Sequence, residues 1–352
     1  MKKLNLIFLL VFLVKTLAFC QIGKGVYTFK PDFELITNNF PSSSQFKFAP
    51  QFGTFLTPKL LVEGQINDYI SNYKFVSTKF TTLAFYANAS YYYYDMKKWR
   101  PYVNLGFGME QAKTISPTFT FKVNSPSINL GTGIQYFMNK NVAIDSKLGY
   151  SIQNSIATGV FDRKLTYSTL AFSIALKPFF DIASFEENKE ATDFLHKGKI
   201  IPFVNVNLSN TNLTVKSKGI PTEYEKYSNV DFNVAADYFV TKNFTLGGGI
   251  NYQAYKSDRR YGFGLSTAYF LHLKKRNYLS LNLNYATNRN NYITPSPQTN
   301  LTNYSVGANY YYFLNQNLAL SAGFRYQAVL SKVVQADASV LYFNTGLKYF
   351  IN

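Results

Sequence analysis

The sequence predicts an all-β chain: a transmembrane antiparallel up-and-down β-barrel, arranged as two tandem eight-stranded barrels, with a single sixteen-stranded barrel as the alternative. Three observations predict it. Segment after segment alternates apolar and polar side chains with a period of two, the mark of a strand with two unlike faces. Short turns and longer connections alternate along the chain. The last strand, residues 341–352 (LYFNTGLKYFIN), has a near copy at 170–181 (LAFSIALKPFFD), half a chain earlier.

Residues 1–20 stand apart. Lys2 and Lys3 precede an apolar run at 4–14, interrupted afterwards by Lys15, and Ala18-Phe19-Cys20 precede Gln21. That is the pattern of a signal peptide, so export is expected. Cys20 is the one cysteine, which leaves no disulfide for the mature chain. Simple cleavage is the reading; lipidation of Cys20 is the alternative, and Phe19 suits such a signal poorly. After this segment no apolar run reaches the ~18 residues of a membrane helix. The net charge of +17 invites a nucleic-acid partner, but export and the scatter of the lysines argue against one. An anionic lipid surface, or plain solvation, accounts for the charge instead.

From Val26 the strands follow in order. The first half carries eight, near 26–36, 46–56, 60–67, 80–94, 102–110, 127–137, 142–151 and 165–177. Many are long enough for a tilted membrane crossing of ~9–11 residues. The connections at 57–59, 95–99 and 138–141 are short, whereas those at 40–45, 68–76, 111–126 and 152–163 are longer. A meander with two unlike ends results. The second half repeats the plan near 200–209, 230–240, 244–253, 262–273, 278–287, 304–313, 318–329 and 339–350. Its short turns are 241–243, 274–277 and 314–317, and its long loops are 210–228, 255–261, 288–303 and near 330–338. YFMNKNVAIDSKLGY (136–150) aligns without a gap on YFLNQNLALSAGFRY (312–326), and TPKLLVEGQI (57–66) on TKNFTLGGGI (241–250). An internal duplication of an eight-stranded unit is expected. The domains would be a signal peptide (1–20), a first barrel (21–181), an acidic periplasmic linker (182–198, with Glu186, Glu187, Glu190 and Asp193) and a second barrel (199–352).

A sheet can cross lipid only as a closed barrel, since an open edge finds no water. Val103, Leu105, Phe107 and Met109 alternate with Asn104, Gly106, Gly108 and Glu110, and Leu279, Leu281, Leu283 and Tyr285 alternate with Ser280, Asn282 and Asn284. The apolar sets are expected outside and the polar sets inside. Aromatic clusters at the short turns (91–94, 136–137, 179–180, 238–239, 310–313 and 349–350) are expected to form a girdle at the periplasmic rim.

On this pattern the chain resembles the small eight-stranded outer-membrane barrels of Gram-negative bacteria, in tandem. The resemblance covers nearly all of residues 24–352. Its most specific part is a final-strand signature of polar residue, Gly, aromatic and hydrophobic, met by Asn344, Gly346, Tyr349 and Ile351. It implies that these four residues are an assembly signal read by the outer-membrane insertion machinery. The family's usual terminal Phe or Trp is replaced by Asn352. It also implies the Gram-negative outer membrane as location, with outer-membrane lipid and lipopolysaccharide as neighbours.

The charges expected inside are Lys30, Asp32, Glu34, Glu63, Asp145, Lys147 and Lys177 in the first half, and Asp231, Asp237, Arg325 and Lys348 in the second. Both signs occur in each half, as a packed interior of paired charges requires. The same residues could line a wet pore. The long linker favours two barrels, because adjacent strands of one barrel do not need it. No catalytic residue, cofactor or metal site is expected. His196 and His272 have no external Ser to activate, and Gly247-Gly248-Gly249 lacks the Lys-Ser/Thr of a phosphate loop. A structural or surface-interaction barrel, with external loops meeting an unknown ligand, is the expected function; a porin-like channel through one sixteen-stranded barrel is the alternative.

Overall fold

The computed structural model describes residues 26–38, 42–74, 76–94, 98–159, 163–181, 194–217, 220–256, 258–291, 299–331 and 338–351. The signal peptide, Cys20, the acidic residues of the linker and Asn352 lie outside them.

Sixteen barrel strands occur among the described residues. β1 (Val26–Lys30, resuming as Phe33–Asn38) and β2 (Ser43–Phe48, resuming as Gln51–Thr57) are each interrupted at a proline, Pro31 or Pro50. β3 (Leu60–Tyr73), β4 (Thr78–Tyr92), β5 (Trp99–Ile115), β6 (Thr120–Asn139), β7 (Val142–Thr158) and β8 (Arg163–Pro178) complete the first half. A two-residue extension of β8 follows at Phe180–Asp181. β9 (Ile200–Ser217), β10 (Ile220–Phe239), β11 (Phe244–Tyr255), β12 (Asp258–Lys274), β13 (Asn277–Asn291), β14 (Thr299–Asn315), β15 (Leu318–Ser331) and β16 (Ala338–Tyr349) form the second. Each sequence-predicted strand overlaps one of these.

The expected pair of eight-stranded barrels is not what the chain forms. β8 pairs onward with β9 over thirteen residue pairs, from Arg163↔Ser217 to Ala175↔Asn205. The ring closes where β16 meets the upper segment of β1, from Val340↔Asn38 to Thr345↔Phe33. The result is one closed sixteen-stranded antiparallel barrel. The physical reason lies at the free edge of β8. Each backbone group left unpaired in lipid costs several kcal/mol. Against β9 that edge pairs along most of its length, whereas against β1 it finds only Val26↔Asp181 and Tyr27↔Phe180. The linker argument failed because the linker's described residues do not merely span a gap: Phe194 and Leu195 are buried in the barrel.

Those two pairs with β1 nevertheless have a consequence. Below Ala175 and Phe33 the wall forks. The lower segment of β1 leaves β16 at Pro31-Asp32 and pairs with β2 on one edge and with Phe180–Asp181 on the other. A hydrogen bond from Ala49 N–H to Asp32 carbonyl oxygen (2.6 Å) spans the interruption. In the second half, Ile200 and Ile351 exchange both backbone hydrogen bonds, each 2.8 Å. At its short-turn end the barrel is thus pinched into two rings. A septum of Val142, Phe180 and Leu318, packed by Phe29, Leu347 and Tyr349, lies between them.

The opposite ends also differ from expectation. Much of the predicted loop at 210–228 is strand: β9 and β10 stay paired out to Ser217↔Ile220. The predicted loop at 111–126 shortens to the four residues between Ile115 and Thr120. The outward faces of these hairpins are polar (Lys113, Lys122, Asn212, Lys216) because they project past the apolar band, where water replaces lipid, while Leu213, Val215 and Val123 are half-buried on the other face.

Candidate permeation site: a polar lumen above two aromatic floors

Along β5 the pleat sorts the wall. Val103, Leu105, Phe107 and Met109 are exposed on the outside, while Tyr102 and Asn104 are buried on the inside. Glycine makes room for the inner amides: a Cβ on Gly106 would stand 2.1 Å from Asn88 Oδ1 and 2.4 Å from Asn129 Oδ1. The inner face borders an open polar cavity of about 440 Å³, lined by Gln65, Asn88, Asn129, Lys147, Ser173 and Asn207 among others. Ser173 is on β8 and Asn207 on β9, and they are register partners. The first half supplies most of the lining, and Asn207 extends it across the junction of the two halves. A larger groove of about 640 Å³, bordered by Leu246, Leu265, Leu283 and Val306, lies on the outer apolar face and meets lipid rather than solute.

The predicted interior charges sit mostly in small local groups. Lys177 Nζ meets Glu63 Oε2 at 2.7 Å with both side chains largely buried, and Gln51 donates to Glu63 Oε1 at 3.1 Å. Asp145 accepts the Tyr102 hydroxyl at 2.8 Å. Lys147 donates to Asn104 Oδ1 at 2.7 Å. Asp32 is paired with Lys47 at 2.8 Å, and Lys47 is also the register partner of Glu34. Asp237 accepts a hydrogen bond from the Ser266 hydroxyl. Arg325 lies 4.4 Å over the Tyr342 ring. Asp231 is half-buried opposite Asn207 and Gln253, and Lys30 and Lys348 are exposed. The interior is thus stabilised mainly by hydroxyls, amides and rings, with Lys177–Glu63 and Lys47–Asp32 as ion pairs. Lys47 and Tyr102 were missed in the sequence. Their period-two positions beside Phe46 and Val103 were the signal for them.

The four C-terminal signature residues each have a structural place. Asn344 is exposed and pairs in register with Gly323 and Glu34. Gly346 lies opposite Ser321. Tyr349 packs in the septum, its hydroxyl donating to Leu176 carbonyl oxygen at 3.4 Å. Ile351 closes the second ring on Ile200.

Below the cavity each ring is filled. The first floor is Phe55, Tyr92, Tyr102, Phe137 and Phe179, with Val26, Leu61 and Ala143. Phe137 and Phe179 have centroids 5.0 Å apart, and Phe55 and Phe179 6.1 Å. The second is Phe239, Phe270, Tyr278, Tyr311, Phe313 and Phe350, joined by Phe194 and Leu195 from the linker. Phe313 and Phe350 are 4.7 Å apart, and Phe194 stacks on Phe313 at 5.0 Å. Every ring of both floors is buried, and aromatic packing at these distances fills the space between the ring walls. One backbone device recurs. The N–H groups of Tyr92, Phe137, Phe179, Phe270, Phe313 and Phe350 donate to the carbonyls of Lys59, Lys98, Asn141, Asn243, Arg276 and Asn317, all at 2.7–2.9 Å. The girdle expectation is therefore half of the finding. In the doublets at 91–92, 238–239 and 310–313 one ring faces out (Tyr91, Tyr238, Tyr310, Tyr312) and its neighbour turns in (Tyr92, Phe239, Tyr311, Phe313), because adjacent strand residues point to opposite faces; at 179–180 and 349–350 the ring that turns away from the floor, Phe180 or Tyr349, packs in the septum instead.

No protein-family model matches the chain, and no curated protein matches it. Solved structures do. The chain is similar to OccK5 (OpdH) of Pseudomonas aeruginosa, with 9% identity over 95% of this chain and 100% of that one, at a TM-score of 0.36. It is similar to CdiB from Acinetobacter baumannii, with 8% identity over 92% of this chain and 60% of that one, at a TM-score of 0.47. A third is the copper transporter OprC, with 10% identity over 88% of this chain and 54% of that one, at a TM-score of 0.46. The chain thus spans little more than half the length of the last two. At this distance the likenesses carry nothing about activity.

Proposed function

We propose that the chain is a Gram-negative outer-membrane barrel that passes small polar solutes through its lumen, in the manner of a porin. The observation that carries this reading is the unbroken wall across β8 and β9, which places Ser173 and Asn207 together on one polar cavity of about 440 Å³. A sixteen-stranded barrel is wide enough for an aqueous channel, where an eight-stranded one is filled by its own side chains. The aromatic floors make the described state a closed one. The surface-interaction role expected from two plugged barrels loses its main support with them. The reading is of a conduit and not of an enzyme.

Several features support the setting. The alternating outer face suits lipid. The C-terminal residues Asn344, Gly346, Tyr349 and Ile351 suit recognition by the outer-membrane insertion machinery. Lys113 opposes Lys122, and Lys164 opposes Lys216, on outward positions beyond the apolar band. Like charges directly opposite are unfavourable, and the phosphates of lipopolysaccharide would relieve them. The recurring floor hydrogen bonds support an origin of the two halves by duplication.

The test is permeation. Protein refolded into vesicles should admit neutral sugars slowly. A variant with Phe137, Phe179, Phe313 and Phe350 all replaced by Ala should admit them fast, with a size cut-off. A folded variant that remains impermeable to salts as well as sugars would sink the channel reading.

A further inference from the structure

A channel of one barrel is ordinarily one path, but this barrel has two lower ends. Both seams between the halves part low in the wall. The β8–β9 ladder stops at Ala175↔Asn205, and the β16–β1 ladder stops at Phe33↔Thr345. Below them each half is closed by its own backbone bonds, Val26↔Asp181 and Tyr27↔Phe180 in one and Ile200↔Ile351 in the other. The floors are separate clusters with no member in common. Between them stands the septum around Phe180 and Leu318, tied across by Tyr349 to Leu176. Displacing the rings of one floor removes no atom from the other.

From this geometry we infer that one outer vestibule serves two separate permeation paths, each with its own aromatic gate, rather than one pore with one gate. The inference rests on the channel reading, and it adds an independence that the channel reading does not require. The first path lies directly under the Lys177–Glu63 pair. The second lies under Lys348, its counterpart in the repeated Leu-Lys frame, which forms no ion pair among the described residues. The paths therefore differ in chemistry just above their gates.

Planar-bilayer recording separates the possibilities. The variants are Phe137→Ala with Phe179→Ala (first floor), Phe313→Ala with Phe350→Ala (second floor), and all four together. Each two-residue variant is expected to show one open level of its own. The four-residue variant is expected to show both levels and their sum, with open probabilities that multiply. A single merged level in the four-residue variant, or identical openings from either floor alone, overturns the two-path inference while leaving the channel standing. A folded four-residue variant without conductance instead overturns the channel. A second measurement does not depend on these variants folding. In a Cys20→Ser background, Ile200→Cys with Ile351→Cys, and separately Val26→Cys with Asp181→Cys, should each oxidise to a disulfide in the membrane, since both are register partners within disulfide reach. Failure of either crosslink in folded protein overturns the forked lower end and the inference with it.

Discussion

Replacing Lys177 by Met would strand a carboxylate. Glu63 is 6% exposed and its ion pair with Lys177 spans 2.7 Å, while its other oxygen keeps the Gln51 amide at 3.1 Å. Breaking a buried pair by removing one partner costs about 3–5 kcal/mol. The remaining amide bond and the wet lumen above moderate that, so we expect about 3 kcal/mol for Lys177→Met. Glu63→Gln should cost somewhat less, because Lys177 is 14% exposed and can turn upward to water. The double variant should cost less than the sum of the singles, with a coupling of about 2 kcal/mol, within the range for residues in direct contact. Urea unfolding in lipid vesicles reads this out. Trp99 is the one tryptophan in the chain; it sits exposed at the rim beside Tyr136, with centroids 4.5 Å apart, and reports its loss of structure by fluorescence. If Lys177→Met unfolds within ~0.5 kcal/mol of the parent protein, the size of an ordinary surface change, or if the singles simply add, then the pair does not fasten the first floor and the reasoning fails.

Four further outcomes are expected. Phe137→Ala and Phe313→Ala should each lower stability by about 3–5 kcal/mol, the cost of an aromatic deleted from a packed site, checked by the same urea titration. Gly133→Ala should cost about 1–3 kcal/mol by overpacking, because its Cβ would stand 2.6 Å from both Ser146 carbonyl oxygen and the Tyr102 ring; a neutral result would show that Tyr102 yields freely. Ser173→Cys with Asn207→Cys should crosslink within the folded barrel and leave its migration on gels that of one compact species, as register partners across the β8–β9 seam must. Lys164→Glu should stabilise the barrel in neutral detergent by about 0.2–1 kcal/mol, by turning a like-charge cross-strand pair with Lys216 into an attractive one; in vesicles containing lipopolysaccharide the gain should vanish or reverse.

The sequence made the strands legible where their two faces differ. The alternation of Val103, Leu105 and Phe107 with Asn104 and Gly106 places β5 without any partner strand, because lipid outside and water inside impose the period locally. The same logic failed at the outer ends. Leu213 and Val215 alternate with Asn212, Thr214 and Lys216 over only a few residues, too short an apolar set to separate a projecting hairpin from a polar loop. The pairing of β8 was less accessible still. Its edge could go to β1 or β9, and the choice depends on the total of bonds along two distant strands. The structure takes both in part, Ala175 with Asn205 above and Phe180 with Tyr27 below. The aromatic doublets were visible but were given one role, although neighbours in a strand cannot share a face. Pro31, Pro50 and Pro178 were the overlooked marks of the fork. Each lacks the N–H that a continuing ladder would use, and each lies where a strand breaks or loses a neighbour.

The ring closure between β16 and β1 rests on six residue pairs, Phe33–Asn38 against Val340–Thr345, whereas the β8–β9 seam has thirteen. It is also the junction that joins the start of the described chain to its end. Local opening concentrates where few bonds must break together. The barrel therefore has a built-in first place to part sideways into the bilayer, flanked on its lipid face by Phe33, Phe46 and Phe343, whose edge-to-face contacts are 5.4 and 5.5 Å. Amide exchange should begin along Leu341–Thr345 before any other membrane-level strand. During assembly the same short ladder should be the last to zip, so that the width of the whole wall is decided by its briefest seam.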